Sequence, residues 1–347
     1  MSDNYFKGEN MQNFQNSNLN KGGEVFDIEK SSQILTPNDI ANYKPKWLIK
    51  GFVESNKLIS LYAMPGSGKS LTALYLATYM LDCGVINKVV YVDMDNGIGT
   101  LKSRGLEAIL RKYGEKLKYI SSAKKGQKDI DPKSLIFTLS AFADDSKNDT
   151  LIIFDSIRNF INGSMSRDEE VMPILNALQN MRDYYAGVWF LNHQNKQDFM
   201  GENNKAYKGA TAFFDSCDEA YFVKKRERKE NRLIVTLEPM KGRDDTEPQA
   251  VIIDTANLSL EFSDFMLYAM NEKQSTALEY AKEIIAKNPS GINRNTLISE
   301  IQKRAKYDEV EIIGNHALRK FLLQFDNKFF KITNSNNIHN AITFYPL

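Results

Sequence analysis

Cysteine is almost missing from this chain: two residues in 347, Cys83 and Cys217. Both stand in segments that read as helix or strand, with neither pairing nor metal-ligand spacing, so a disulfide framework is excluded and both are expected to be buried thiols in a reducing compartment. Long apolar runs are lacking too. The longest fall far short of a membrane span, and the N-terminus does not have the basic-then-apolar order of a secretory signal, so a cytoplasmic protein with no membrane partner is expected. The third absence is charge of one sign. Lys and Arg number 45 against 44 Asp and Glu, a net charge of +1, so any binding of nucleic acid has to come from local basic segments rather than from the field of the whole molecule. What remains is the composition of an ordinary globular protein, 42% hydrophobic and 26% charged, with room for about two domains and a sizeable core.

The opening stretch is rich in Asn, Ser, Gln, Lys and Gly and shows no sustained period. It cannot bury enough surface to offset the entropy of ordering, so residues 1–40 are expected to form a flexible arm, with Phe6, Phe14 and Phe26 as anchors available to a neighbouring subunit. From Trp47 onward short β-rich runs alternate with amphipathic helices, the pattern of an α/β fold with a mostly parallel sheet and crossover helices. Strands are expected over residues 58–63, 89–93, 118–121, 151–155 and 188–192, each ending at or near a polar residue. Ligands of open α/β sheets sit outside the carboxyl ends of the strands, so these terminal polar residues are the ones to inspect. After Ala220 the sequence predicts an antiparallel hairpin with a charged tip at 224–232, then a strand over 250–253. The remainder contains three helix-like segments and two β-prone stretches flanking the turn-rich 334–337, the pattern of a winged helix. The expected boundaries are therefore an arm at 1–40, a core at 41–268 and a winged-helix-like domain at 269–347.

Residues 63–70 read Ala-Met-Pro-Gly-Ser-Gly-Lys-Ser, a Walker A loop with Ala63 in place of the usual leading glycine. The motif sits between an apolar strand and a helix expected over 70–81, the order such a loop requires. Gly66 and Gly68 let backbone N–H groups surround phosphate oxygens, so Pro65, Gly66, Ser67, Gly68, Lys69, Ser70 and Leu71 are the expected cradle for ATP. Lys69 would reach the β and γ phosphates, and the Ser70 hydroxyl would ligate Mg2+. The run Leu-Ile-Ile-Phe-Asp ending at Asp155 has the form of a Walker B strand, whose carboxylate would hold the ion through its water shell. Asp93 and Asp95 end the second strand; Asp95 is the candidate base for the attacking water, although both acids also suit caps for the helix starting near Gly99. His193 ends another strand and precedes a long polar stretch, 194–208, so it is a candidate sensor of the γ phosphate, with Lys196, Lys205 and Lys208 available to a phosphate backbone; a solvated loop without a ligand is the alternative.

Together, the Walker A loop, the acid-ended second strand, the Walker B strand, the His-Gln-Asn-Lys strand end and the segment 208–220 resemble the RecA-like ATPases. Within that group the chain is most similar to the RepA-type replicative helicases of plasmids and phages, with DnaB-type helicases and RadA-type recombinases as wider kin, over about residues 47–262. The resemblance implies a homo-oligomeric ring, commonly a hexamer, with ATP between subunits and single-stranded DNA in the channel. It places the catalytic carboxylate at Asp95, where relatives usually carry Glu, and assigns Lys241 and Arg243 as a trans-acting finger for the neighbouring γ phosphate. Hairpin-end charges are the alternative for that pair. It also places the channel loops at 159–170 and 194–208, the first acidic at its end through Asp168, Glu169 and Glu170. An ATP-driven DNA motor is the leading expectation; an ATP-switched DNA-binding regulator and a recombinase mediator without unwinding are the alternatives.

The appended C-terminal segment departs from the resemblance. Helices are expected over 295–306 and 311–323, with Leu297, Ile301, Ile312, Ile313, Leu318, Phe321 and Leu322 as a shared core. Lys303, Arg304, Lys306, Arg319 and Lys320 are available to phosphates, whereas Asp308, Glu309 and Glu311, placed at the start of the second helix, would repel them. Duplex DNA and a replication protein are equal candidates as its partner.

Overall fold

The computed structural model describes residues 34–124, 131–194, 211–242, 246–334 and 342–347. The chain divides into two units, 1–46 and 47–347. In the first, helix α1 (Pro37–Asn42) starts where Thr36 and Asp39 form a reciprocal capping box behind a proline.

The second unit is built on a nine-stranded sheet. Its strands are β3 (Leu58–Ala63), β4 (Lys88–Asp93), β5 (Leu117–Ser121), β6 (Thr150–Asp155), β7 (Gly187–His193), β8 (Glu219–Lys229), β9 (Arg232–Lys241), β10 (Gln249–Asp254) and β11 (Ser259–Ser263). They run in the order β11-β10-β9-β8-β3-β7-β6-β4-β5, preceded in the chain by the short antiparallel pair β1 (Trp47–Ile49) and β2 (Val53–Glu54). From β8 to β5 every neighbouring pair is parallel, and from β8 to β11 every pair is antiparallel. Helices α2 (Lys69–Asp82), α3 (Ile98–Ser103), α4 (Leu106–Tyr113), α5 (Pro132–Ala141), α6 (Asp168–Arg182) and α7 (Thr211–Ser216) provide the connections.

Why the central strands read as unbroken apolar runs is visible in their burial. β6 is buried at all six positions, because α2 covers one face of the sheet and α6 the other. Ile153 and Trp189 face the layer of Leu71, Leu74 and Tyr75 from α2; Phe154 and Phe190 face Val171, Ile174 and Leu178 from α6. The strands found match the five expected ones to within a residue at each end, whereas β1, β2 and β11 were not foreseen.

Beyond the sheet, α8 (Phe265–Ala269) packs against β9 and β10, while Met266 and Leu267 join a separate cluster of buried residues. That cluster is formed by α9 (Glu272–Ala286), α10 (Arg294–Tyr307), α11 (Asn315–Leu322) and a small sheet ordered β12 (Ile292–Asn293), β14 (Ile342–Pro346), β13 (Phe330–Asn334). Leu297, Ile301, Leu318, Phe321 and Leu322 are buried in it as expected. The second expected helix starts four residues later, at Asn315. Gly314 is its N-cap, so Asp308, Glu309 and Glu311 precede the helix, and Ile312 and Ile313 pack only partly buried against the cluster. The tip residues 335–337 lie outside the described residues, as do Phe6, Phe14 and Phe26.

Two other expectations are corrected. Cys217 is buried but Cys83 is exposed, because α2 ends at Asp82 and Cys83 caps it as the chain turns away. The acids Asp168, Glu169 and Glu170 are not loop but the first turn of α6, where three carboxylates complement the positive end of the helix. Phe190 lies at the middle of this arrangement, fully buried on a central strand. Phe190→Ala is expected to destabilise the protein by about 3–5 kcal/mol, read as a fall in the urea midpoint.

Candidate nucleotide site at the carboxyl edge of the sheet

Parallel register sets the site. Asp93 of β4 pairs with Asp155 of β6, and Ala63 of β3 pairs with His193 of β7, so four of the residues singled out from sequence stand along one edge. The chain leaves β3 at Ala63, passes through residues 64–68 and enters α2 at Lys69. Gly66 and Gly68 have φ of +74° and +88°, a left-handed backbone that L side chains rarely adopt. Gly68 is constrained twice, since a Cβ there would stand 2.7 Å from Leu233 Cδ2 of β9. The Gly68 carbonyl starts the helix, accepting from Thr72 N at 2.8 Å.

Lys69 and Asp155 are both buried, with Nζ and Oδ1 3.8 Å apart. Burial pushes the Lys69 ammonium below its ordinary range, against the attraction of Asp155, Asp95 and Asp93, while the nearby Arg104 adds to the lowering. Burial likewise pushes the Asp155 carboxyl up, opposed by Lys69 and by hydrogen bonds from Ser70 and Tyr91, with Asp93 adding to the rise. A cation and an anion are thus kept dry and loosely matched. The Tyr91 hydroxyl lies 3.0 Å from Asp155 Oδ2 and 3.2 Å from the Ser70 carbonyl, tying β6 to the first turn of α2.

The donor set fits the ligand that the motif implies. Ser67 Oγ and Asp155 Oδ1 are buried without a hydrogen-bond partner among the described residues, one in the glycine loop and the other beside Lys69. Such groups are costly unless a ligand satisfies them, and a hydroxyl with a carboxylate is an oxygen set suited to hydrated Mg2+. Ser70 and Asp155 would hold that ion.

The two acids ending β4 are separated by their environments. Asp93 is buried, and its Oδ1 accepts from the backbone N–H groups of Asp95 and Asn96 at 2.9 and 3.0 Å, while Oδ2 accepts from the Tyr119 hydroxyl at 2.6 Å. It shapes the turn. The helix that follows begins at Ile98 with Gly97 as N-cap and no side-chain cap, so neither acid caps it. Asp95 is exposed and its charge acts on Lys69.

His193 ends β7, half-buried, and the next residue ties the two strands together: Gln194 N donates to the Ala63 carbonyl at 2.9 Å. Lys241 is not with this group. Its ammonium donates to the carbonyls of Phe214 and Asp215 at 2.7 and 2.8 Å, satisfying the C-terminal end of α7. Lys196, Lys205, Lys208 and Arg243 lie outside the described residues. Sequence reasoning missed Tyr91, Tyr119, Arg104, Leu233 and Asn159. The only signal for the tyrosines was their place two residues before a strand-end polar residue, on the same face of the strand.

Gly68→Ala combines a disfavoured φ with the Leu233 contact. It is expected to add about 1–3 kcal/mol of strain and to weaken nucleotide binding by about an order of magnitude, measured by calorimetric titration; an unchanged Kd would rule out this cradle.

Residues 41–198 match the family model described as AAA domain, less than half of the chain. No curated protein matches the sequence. Among solved structures the chain is similar to the ATPase domain of a helicase, at 14% identity and a TM-score of 0.42, covering 57% of this chain and 81% of that one. It is similar also to the RadB recombinase, at 19% identity and a TM-score of 0.42, covering 60% and 92% respectively. The flagellar accessory protein FlaH from Methanocaldococcus jannaschii shows 16% identity and a TM-score of 0.41, covering 60% and 90%. Among the described residues no helix is long and apolar enough to cross a membrane. The chain carries a P-loop nucleotide site at the carboxyl edge of a mostly parallel α/β sheet, consistent with a RecA-like P-loop core.

Proposed function

We propose that this protein is an ATP-hydrolysing, ring-forming motor on single-stranded DNA, a replicative helicase of RepA type serving a plasmid, phage or mobile element. The observation that carries the hydrolytic part is the juxtaposition of buried Lys69 and Asp155 with the exposed Asp95, in a loop whose glycines leave room for phosphates. The DNA-motor part is supported by the ordered set of motifs along the chain.

Lys69 neutralises the terminal phosphates, and Ser70 with Asp155 holds Mg2+, which when bound bridges and neutralises phosphate oxygens. Asp95 accepts the proton of the attacking water. His193 senses the γ phosphate and passes its state to residues 195–210, where Lys196, Lys205 and Lys208 contact the DNA backbone; the Gln194 to Ala63 hydrogen bond supports this link. Arg243 acts across the subunit interface as the finger. Lys241, held on its own α7, aims that segment rather than reaching the phosphate itself. The C-terminal segment is a winged helix, and its partner is duplex DNA or a replication protein.

Lys69→Ala is expected to abolish hydrolysis and greatly weaken nucleotide binding. Asp95→Asn should keep ATP bound but stop its cleavage, because the amide preserves shape and loses basicity. The motor reading is tested by particle size with and without ATP and single-stranded DNA, followed by strand displacement on the same sample. A protein that hydrolyses ATP and coats strands without separating them would be a mediator; one that binds only a defined duplex would be a regulator.

A further inference from the structure

The turn after β4 uses one carboxylate to present another. Asp93 is occupied by the backbone of residues 95 and 96, by Tyr119 and by the Asn96 amide, whose Nδ2 lies 3.1 and 3.0 Å from its two oxygens. Asp95 is thereby turned outward toward Lys69. Among the described residues the hydrogen bond its carboxylate accepts comes from Asn159, whose Nδ2 donates to Oδ1 at 3.4 Å.

Asn159 is well placed to act as a support. It lies in the 3-10 turn Ile157–Phe160, four residues beyond Asp155, and its backbone N–H donates to the Ser156 carbonyl at 3.0 Å. Ile157 and Phe160 on either side of it are fully buried, with the Phe160 ring edge-on to Phe154 of β6 at 5.3 Å. The amide therefore projects from a turn fixed by packing to the same strand that carries Asp155. Immediately beyond, the segment is braced again, Ser164 N donating to Glu170 Oε2 of α6 at 2.7 Å.

We propose that Asn159 is a positioning residue for ATP hydrolysis: its amide holds one oxygen of Asp95, so that the other faces the attacking water. This rests on the reading of Asp95 as the base. An aspartate has a short reach and two free torsions, and a donor on its far oxygen removes the rotation that would otherwise disperse the near one. The 3.4 Å separation is long for a hydrogen bond, as catalytic contacts commonly are before substrate draws the groups together.

The test is steady-state ATP hydrolysis by the full chain across pH, comparing wild type with Asn159→Ala, Asn159→Asp and Asp95→Asn. Asn159→Ala is expected to lower kcat by about 10-fold while KM for ATP stays within about two-fold, since the residue touches the base and not the nucleotide. Asn159→Asp, nearly identical in shape, places a second carboxylate against Asp95. The two would share a proton, and the acidic limb of the kcat profile should move up by about one pH unit; Lys69, Arg104 and Asp93, whose charges act in the same space, are unchanged. A purely structural role would leave that limb in place. If Asn159→Ala fails to fold, the isosteric Asn159→Asp still decides the matter. Wild-type kcat in Asn159→Ala, or an unmoved limb in Asn159→Asp, overturns the positioning role while an inactive Asp95→Asn leaves the base in place. Normal turnover by Asp95→Asn overturns the base and this proposal with it.

Discussion

Lys69 and Asp155 sit 3.8 Å apart with almost no access to water, and the rest of the carboxyl edge is arranged around the cost of keeping them there. Neither is fully compensated by the other: desolvation pulls the ammonium down and the carboxyl up, and Asp155 Oδ1 has no hydrogen bond among the described residues. Isolated, such a pair is a weak contributor to stability. It persists because both ends are held by elements with large apolar burial of their own, β6 buried along its whole length and α2 buried over most of its surface. The strain of the site is thus carried by the sheet and by the helix that covers it.

The glycine loop couples to more of the molecule than its own strand and helix. Leu233 of β9 lies where a side chain at Gly68 would go, and Gln194 after β7 holds the carbonyl of Ala63. β9 is antiparallel and two strands removed from β3 in the sheet, so the long hairpin β8–β9 reaches the phosphate side of the molecule although its sequence carries no nucleotide motif. The same β9 receives α8, whose Met266 and Leu267 belong to the C-terminal cluster. A continuous path of packed side chains therefore connects the C-terminal helices to the loop.

Most of the sheet was legible because its signals are local. Strands buried on both faces have to be apolar throughout, and those at 58–63 and 151–155 were readable from that alone. The glycine spacing of residues 63–70 was readable for the same reason, since a left-handed turn leaves its mark at the position that makes it. What failed to show was anything whose meaning depends on a distant partner. The alternation of β11 is too short to stand out, and its strand character comes from pairing with β10. The second C-terminal helix was extended back through Glu311 because its sequence stays compatible with helix, whereas Gly314 caps it after the chain has turned. Cys83 was placed inside by its apolar neighbours, but the helix stops one residue before it.

The sequence by itself determined the order of strands and helices, the glycine loop, and the acids that end β4 and β6, because each follows from local sterics and from the period of apolar residues. It could not separate Asp93 from Asp95. Only the tertiary structure did so, by bringing Tyr119 from β5 and the backbone of the following turn onto one carboxylate and leaving the other facing Lys69. Nor could it tell that the Lys241 ammonium serves the end of α7, or that Asn159 reaches Asp95 across 64 positions of sequence. Those assignments are decided by which side chains meet at one point in space, and spacing along the chain carries no record of that once the strands cross over.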